Sequence, residues 1–213
     1  MKIAIDINGT IRDVFSKAGQ VYEKFYLDGE TDEEVSIYDE EKGEWIKKND
    51  KEDFKYELNL PVTSMNLIEH FKFKEENDLY NFFYVDFPMQ IFGHSGTNSV
   101  NTFNILNDLY INLRDDNDVY LISDEIGKSK PATLFFLSKY GCLYENIKFY
   151  SKITLEKILN EFDLIVTSNP DLLKNNEKKI IKYNTTYNEG INKDYEINDI
   201  NELEELIKKI IKK

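Results

Sequence analysis

Short apolar runs that each stop on a polar side chain most constrain what this chain can fold into. Lys2 to Ile7 reads as a buried strand ending at Asp6. Val119 to Ser123 (VYLIS), Ile147 to Ser151 (IKFYS) and Asp163 to Ser168 (DLIVTS) repeat the pattern, and Lys179 to Tyr183 supplies a fifth run. Runs this short, bounded by polar residues, read as strands. Helical periodicity fills the gaps between them. Val100, Phe103, Leu106, Leu109, Tyr110 and Leu113 share one face of a helix, Ser129 and Pro131 open another that ends near Gly141, and Thr154 to Phe162 is a short third. Asp199 and Glu202 spell a capping box ahead of the stripe Leu203, Leu206, Ile207, Ile210, Ile211. Strands alternating with helices predict an α/β fold: a doubly wound parallel sheet of Rossmann type with helices on both faces.

The rhythm breaks between residues 14 and 97. Val35 to Trp45 reads as a hairpin turning near Lys42-Gly43, residues 46–60 are charged and weakly patterned, and Asn81 to Gly93 is dense in aromatics. The expected organisation is a core of residues 1–13 and 98–213, with 14–97 as an inserted α+β cap or interaction subdomain. The stretch from Tyr80 to Phe92 reads either as cap core or as an interaction surface, since Phe82, Phe83, Phe87 and Phe92 are hard for a small cap to bury together. The stretch GHSG at 93–96 reads as a turn, since the helix after it lacks a phosphate-loop Lys-Ser/Thr. His70 and His94 have no spaced metal partners and read as structural. The acids from Asp28 to Asp53 lack calcium-loop spacing and read as a solvated face.

Composition narrows the function classes. With 213 residues, 41% of them hydrophobic, the chain can bury a sizeable core, yet no apolar run reaches membrane-spanning length. MKIAID enters a strand at once, so no leader peptide is expected. A single cysteine, Cys142, excludes an internal disulfide and points to a reducing, cytoplasmic compartment. A net charge of −13 argues against direct nucleic-acid binding. Arg12 and Arg114 are the only arginines, so bidentate clamps for phosphate are scarce. The bias toward Lys, Asn and Ile reads as an AT-rich coding genome. A Lys-rich C-terminal tail, if ordered, would be held by neighbours. Both point to partner chains in a larger assembly, such as a virus particle assembled in the cytoplasm.

In an open parallel sheet, ligands bind at the carboxyl ends of the strands. Those ends carry Asp6, Asn8, Gly9 and Thr10; then Ser123; then Lys152; then Thr167, Ser168 and Asn169. The order Asp6-Ile7-Asn8-Gly9-Thr10 after an apolar strand, Ser123 ending the next, Lys152 after the third and TSNPDLL after the fourth resembles the haloacid dehalogenase-like (HAD-like) hydrolase superfamily. The resemblance covers residues 1–13 and 98–213. It implies that Asp6 occupies the nucleophile position and Asn8 the acid/base position. Ser123 and Lys152 then occupy the phosphate-holding positions, and Gly9, Thr10 and Asn169 the surrounding binding loops. Lys130 competes with Lys152 but lies close to Ser123, inside the next helix. Magnesium would be held by Asp6, by the Asn8 carbonyl and by acids at positions that here are Thr167 and Ser168.

Two departures matter. The Asn8 amide cannot give and recover a proton, a service typically worth ~10²–10⁴-fold. Thr167 and Ser168 are neutral, which leaves Asp6 nearly alone against a hard cation. Asp124 and Glu125, if they point inward, add negative charge where phosphate should sit. The dehalogenase branch needs no metal, and Thr167-Ser168-Asn169 resembles its fourth motif, but it relies on a cap arginine and residues 14–97 contain none. The reading is therefore a non-catalytic HAD-like protein, a structural or interaction component with no cofactor expected. The alternative is a magnesium-dependent phosphatase or nucleotidase acting on a small phosphomonoester through an aspartyl phosphate. That alternative needs Asp13, Asp124 or Asp171 to rebuild the metal site.

Overall fold

The computed structural model describes residues 1–28, 36–39, 44–47 and 54–212. Along the chain the elements are β1 (Lys2–Asp6), α1 (Val14–Tyr22), β2 (Ser36–Asp39), β3 (Glu44–Lys47), α2 (Glu76–Asn81), α3 (Thr102–Leu113), β4 (Asp118–Asp124), α4 (Ser129–Lys139), β5 (Ile147–Tyr150), α5 (Leu155–Glu161), β6 (Leu164–Thr167), α6 (Pro170–Leu173), β7 (Lys179–Tyr183), β8 (Tyr195–Ile197) and α7 (Leu203–Ile211). Six of the strands form one parallel sheet in the order β5-β4-β1-β6-β7-β8.

Side chains alternate between the two faces of a strand, and here each face has its own core. Ile3, Ile5, Leu121, Val166 and Ile181 pack beneath α3, α4 and α7 through Leu106, Phe136 and Ile207. Ala4, Ile122, Ile165 and Ile180 pack on the other face against Ile158 of α5 and Leu172 of α6. The fold is thus the α/β, doubly wound parallel sheet read from the alternation of strand and helix.

Three expectations need correction. The sixth strand, β8, is absent from the sequence reading: three residues with only Ile197 buried carry no periodicity, and β8 exists because Tyr183 pairs with Ile197 at the sheet edge. Val100 does not belong to the apolar face of α3. It is 99% exposed, because the helix starts at Thr102 and the chain turns before it. The C-terminal tail has a source of order within the chain itself. Asp199 and Glu202 form the capping box, and Leu203, Ile207 and Ile210 are buried in the chain's own core. Lys213 lies outside the described residues.

Between β1 and β4 the chain adds nothing to the main sheet. β2 and β3 pair antiparallel as a separate hairpin. Its expected first residue, Val35, and its turn at Lys42-Gly43 lie outside the described residues, as does most of the acidic stretch 28–53. The aromatic segment is not an exposed patch. Phe82, Phe83 and Phe92 are buried and Phe87 is half-buried. The chain from 82 to 93 folds back as two π-helical turns onto α1, so the rings interlock. Tyr22 of α1 packs edge-on to Phe71, Phe73 and Phe82, while Phe25 meets Phe87 at 4.5 Å between centroids. This aromatic cluster reaches the sheet layer through Ala132 of α4 and Tyr187. His70 is buried and structural: its Nδ1 bonds the Asn59 carbonyl and its Nε2 accepts from the Thr63 N–H. Among the described residues, no helix is long and apolar enough to cross a membrane.

Candidate functional site at the strand ends

Strand β1 has β4 on one side and β6 on the other, and the chain reverses its direction of sheet growth there. Such a switch point leaves a crevice at the carboxyl ends of the strands. It gathers Asp6, Ser123, Asp124, Thr167 and Ser168, although they are spread over most of the sequence. Asp6 is 1% exposed; Ser123, Thr167 and Ser168 are fully buried.

The crevice is organised around an arginine that sequence reasoning did not assign. Arg12 is buried to 0% exposure and forms an ion pair with Glu125, whose side chain is equally buried. The guanidinium also donates to Asn8 Oδ1, to the Phe92 carbonyl (2.9 Å) and to Thr133 Oγ1 (2.7 Å), and it lies over the rings of Phe92 and Phe136. Thr133 passes its own proton to Glu125 at 2.5–2.6 Å, and the Ser123 hydroxyl donates to the same carboxylate at 2.8 Å. Glu125 therefore does point inward, but its charge is matched. The hydroxyl and amide expected to serve a substrate, Ser123 and Asn8, are spent on this pair.

A second network closes the loop after β1. Ser168 Oγ bonds the Asn8 carbonyl (3.2 Å) and meets the Tyr187 hydroxyl (2.8 Å), while the Ser168 N–H donates to Thr10 Oγ1 (2.9 Å). Asn98 holds the Gly9 and Thr10 carbonyls. The Asn8 carbonyl, which the resemblance makes a metal ligand, thus already carries a hydroxyl. Gly9 has φ +74°, and a Cβ there would overlap the Tyr187 hydroxyl and crowd Ser168 Oγ. Gly9→Ala is expected to lower stability by about 1–3 kcal/mol, from left-handed strain and displacement of Tyr187. Thermal unfolding checks this; an unchanged midpoint would show that the loop relaxes freely.

Asp6 is not the lone carboxylate that the sequence reading anticipates. Its Oδ2 accepts from Thr167 (2.7 Å) and Tyr150 (3.3 Å), whereas Oδ1 is buried with no partner among the described residues. Asp124 faces the same small cavity of about 80 Å³. Burial, with a further push from Asp124, raises the Asp6 pKa to about 7 against the lowering pull of Thr167 and Tyr150. Asp124 is raised to about 6 by burial; Lys152 pulls it down, and Glu125 and Asp171 push it up.

The remaining candidates are elsewhere. Lys152 is exposed on a 3₁₀ turn, close enough to Asp124 to be felt but outside the cavity. Lys130 lies over the ring of Phe149. Asp13 caps α1 by accepting from the Ser16 N–H, and Asp171 pairs with Lys174 at 2.9 Å. Of the three acids that could rebuild a metal site, the cavity thus receives Asp124. Asn169 caps α6, and its side-chain amide donates to Tyr150. Among the described residues no three His, Cys, Asp or Glu groups converge as metal ligands. The rest of the cavity wall is mainly apolar and aromatic, including Val14, Phe15, Leu67, Phe83 and Phe92. Its other polar members, Asn8, Ser168 and Asn169, are neutral and already bonded within the protein, a poor donor set for a hard cation. The donor set does not fit magnesium.

Arg12, Tyr150 and Tyr187 were missed. For Arg12 a signal existed: it is one of two arginines in the chain and follows closely on the Asn8-Gly9-Thr10 loop. Tyr150 and Tyr187 offered none, because their partners are distant in sequence.

No family model matches this chain, and no curated protein does. Among solved structures it is similar to a haloacid dehalogenase-like family hydrolase from Xanthomonas campestris, at 13% identity over 99% of this chain and 95% of that one, with a TM-score of 0.49.

Proposed function

We propose that this chain is a non-catalytic protein of the HAD-like type, acting as a structural or interaction component among other protein chains. The carrying observation is the Arg12–Glu125 pair. It consumes Ser123 and Asn8, and it places a carboxylate beside the position where the resemblance would put the transferring phosphate. Electrostatic stabilisation is usually the largest catalytic term in such chemistry. Here the groups able to supply it are turned on one another. Phosphate entering the cavity would meet Asp6 and Asp124; the neighbouring cation, Arg12, is held by Glu125, and Lys152 is exposed outside the cavity.

The division into a core of 1–13 and 98–213 with residues 14–97 as an interaction subdomain belongs to the same reading. The separate aromatic core and the separate hairpin support it. So does placement in a cytoplasmic or virus-particle assembly, on the composition alone.

Two measurements test the proposal. Purified protein with magnesium and a panel of aryl phosphates and nucleotides should give no turnover above that of Asp6→Asn; turnover that this substitution abolishes would establish the phosphatase reading instead. Protein isolated from its native source should sediment with other chains in fixed stoichiometry, and sedimentation as a lone chain refutes the assembly half.

A further inference from the structure

The cavity beside Asp6 has a composition that neither phosphate nor magnesium explains. Two carboxylates, Asp6 and Asp124, share it with the aromatic side chains Phe83, Tyr84, Phe92 and Tyr187. Arg12 is not among the lining residues, and its charge is already matched by Glu125. Lys152 is outside. Asp6 lines this space, and its Oδ1 is a buried acceptor with no donor among the described residues. A buried acceptor left unpaired costs free energy that a donor entering the cavity would recover. Aromatic faces attract organic ammonium ions through the ring quadrupole, and the attraction grows when the site is desolvated. The cavity also shares Leu67, Phe83, Tyr84 and Asp124 with a larger, mainly apolar groove of about 630 Å³, which offers an apolar tail a way out.

We propose that this cavity binds a small alkylammonium ion. The ammonium head donates to Asp6 Oδ1 and faces Asp124, and the alkyl chain runs along Tyr84 toward the groove. The site does not depend on whether the chain hydrolyses phosphoesters, and its test is separate from the turnover assay.

Titration calorimetry on the full chain at pH 8, with n-butylammonium chloride against the neutral isostere 1-butanol, tests it. The expected result is saturable binding of the amine, at least tenfold tighter than any binding of the alcohol. Asp124→Asn should weaken the amine at least tenfold and leave the alcohol unchanged. Equal affinity for amine and alcohol in the unaltered protein overturns the proposal and requires no variant to fold. Displacement of the amine by equimolar magnesium, or an amine affinity unaffected by Asp124→Asn in a folded variant, overturns it too.

Discussion

Arg12→Met is expected to destabilise the chain by about 3–5 kcal/mol, the range for breaking a buried ion pair from one side. The loss is more than one salt bridge. Glu125 would remain fully buried, with the Ser123 and Thr133 hydroxyls as its chief support. Asn8 Oδ1, the Phe92 carbonyl and Thr133 would lose their donor together. Methionine restores part of the contact with Phe92 and Phe136, so the penalty isolates the charge more than the volume. The companion variant Glu125→Gln leaves Arg12 as the uncompensated ion and should be costly for the same reason. The double variant Arg12→Met/Glu125→Met should recover a large part of the loss, since neighbours in one network are not additive. Denaturant titration of the four proteins measures this. Additive single effects would mean that the two residues stabilise the fold separately, and the pair would no longer be the organising contact of the crevice.

The second large effect has the opposite sign. Asp6→Asn is expected to stabilise the protein above neutral pH. The Asp6 pKa is raised from 3.8 to about 7 on folding, chiefly by burial and then by Asp124. Between those two values the unfolded chain has released the proton and the folded chain still binds it. Stability therefore falls as pH rises through this window and stays low above it. The full penalty is on the order of 4 kcal/mol at pH 8. Asparagine avoids it while keeping an oxygen for Thr167 and Tyr150. The advantage of Asp6→Asn over the native residue should grow by roughly 2–3 kcal/mol between pH 5 and pH 8. That corresponds to a difference of roughly 4–12 °C in the unfolding midpoint for a chain of this size. A stability difference that does not change with pH would mean that Asp6 already has a compensating cation when folded. A destabilised variant at pH 8 would mean that Asn cannot be accommodated between Thr167 and Tyr150.

Asp6 and Arg12 are close in sequence, yet the chain reveals the place of one and not the partners of the other. Asp6 could be placed from the chain alone, because a strand that stops on an acid before Asn-Gly-Thr puts that acid at the carboxyl end of the strand. The same local logic located β1, β4, β5, β6 and β7, the helices α3, α4, α5 and α7, and the Asp199–Glu202 capping box. It also collected the strand-end set Asp6, Ser123, Thr167 and Ser168 at one end of the sheet. What each of these side chains bonds to was not legible. Ser123 turns to Glu125, Asn8 to Arg12, and Ser168 to Tyr187. The aromatic segment, which the sequence leaves as cap core or interaction surface, is buried because α1 and the turns before α3 bring rings from distant positions into one cluster.

By itself, then, the sequence determined the class of fold, the positions of most strands and helices, and the residues delivered to the crevice. These depend on periodicity and end signals within a few residues, where backbone geometry is local. Only the tertiary structure decided that Arg12 meets Glu125 across 113 positions, that Asp124 joins Asp6 at one cavity, and that Ser168 closes on the Asn8 carbonyl. Those pairings follow from the strand order β5-β4-β1-β6-β7-β8, a property of the whole chain. Whether a buried charge is matched or left alone is settled by which elements that order makes neighbours.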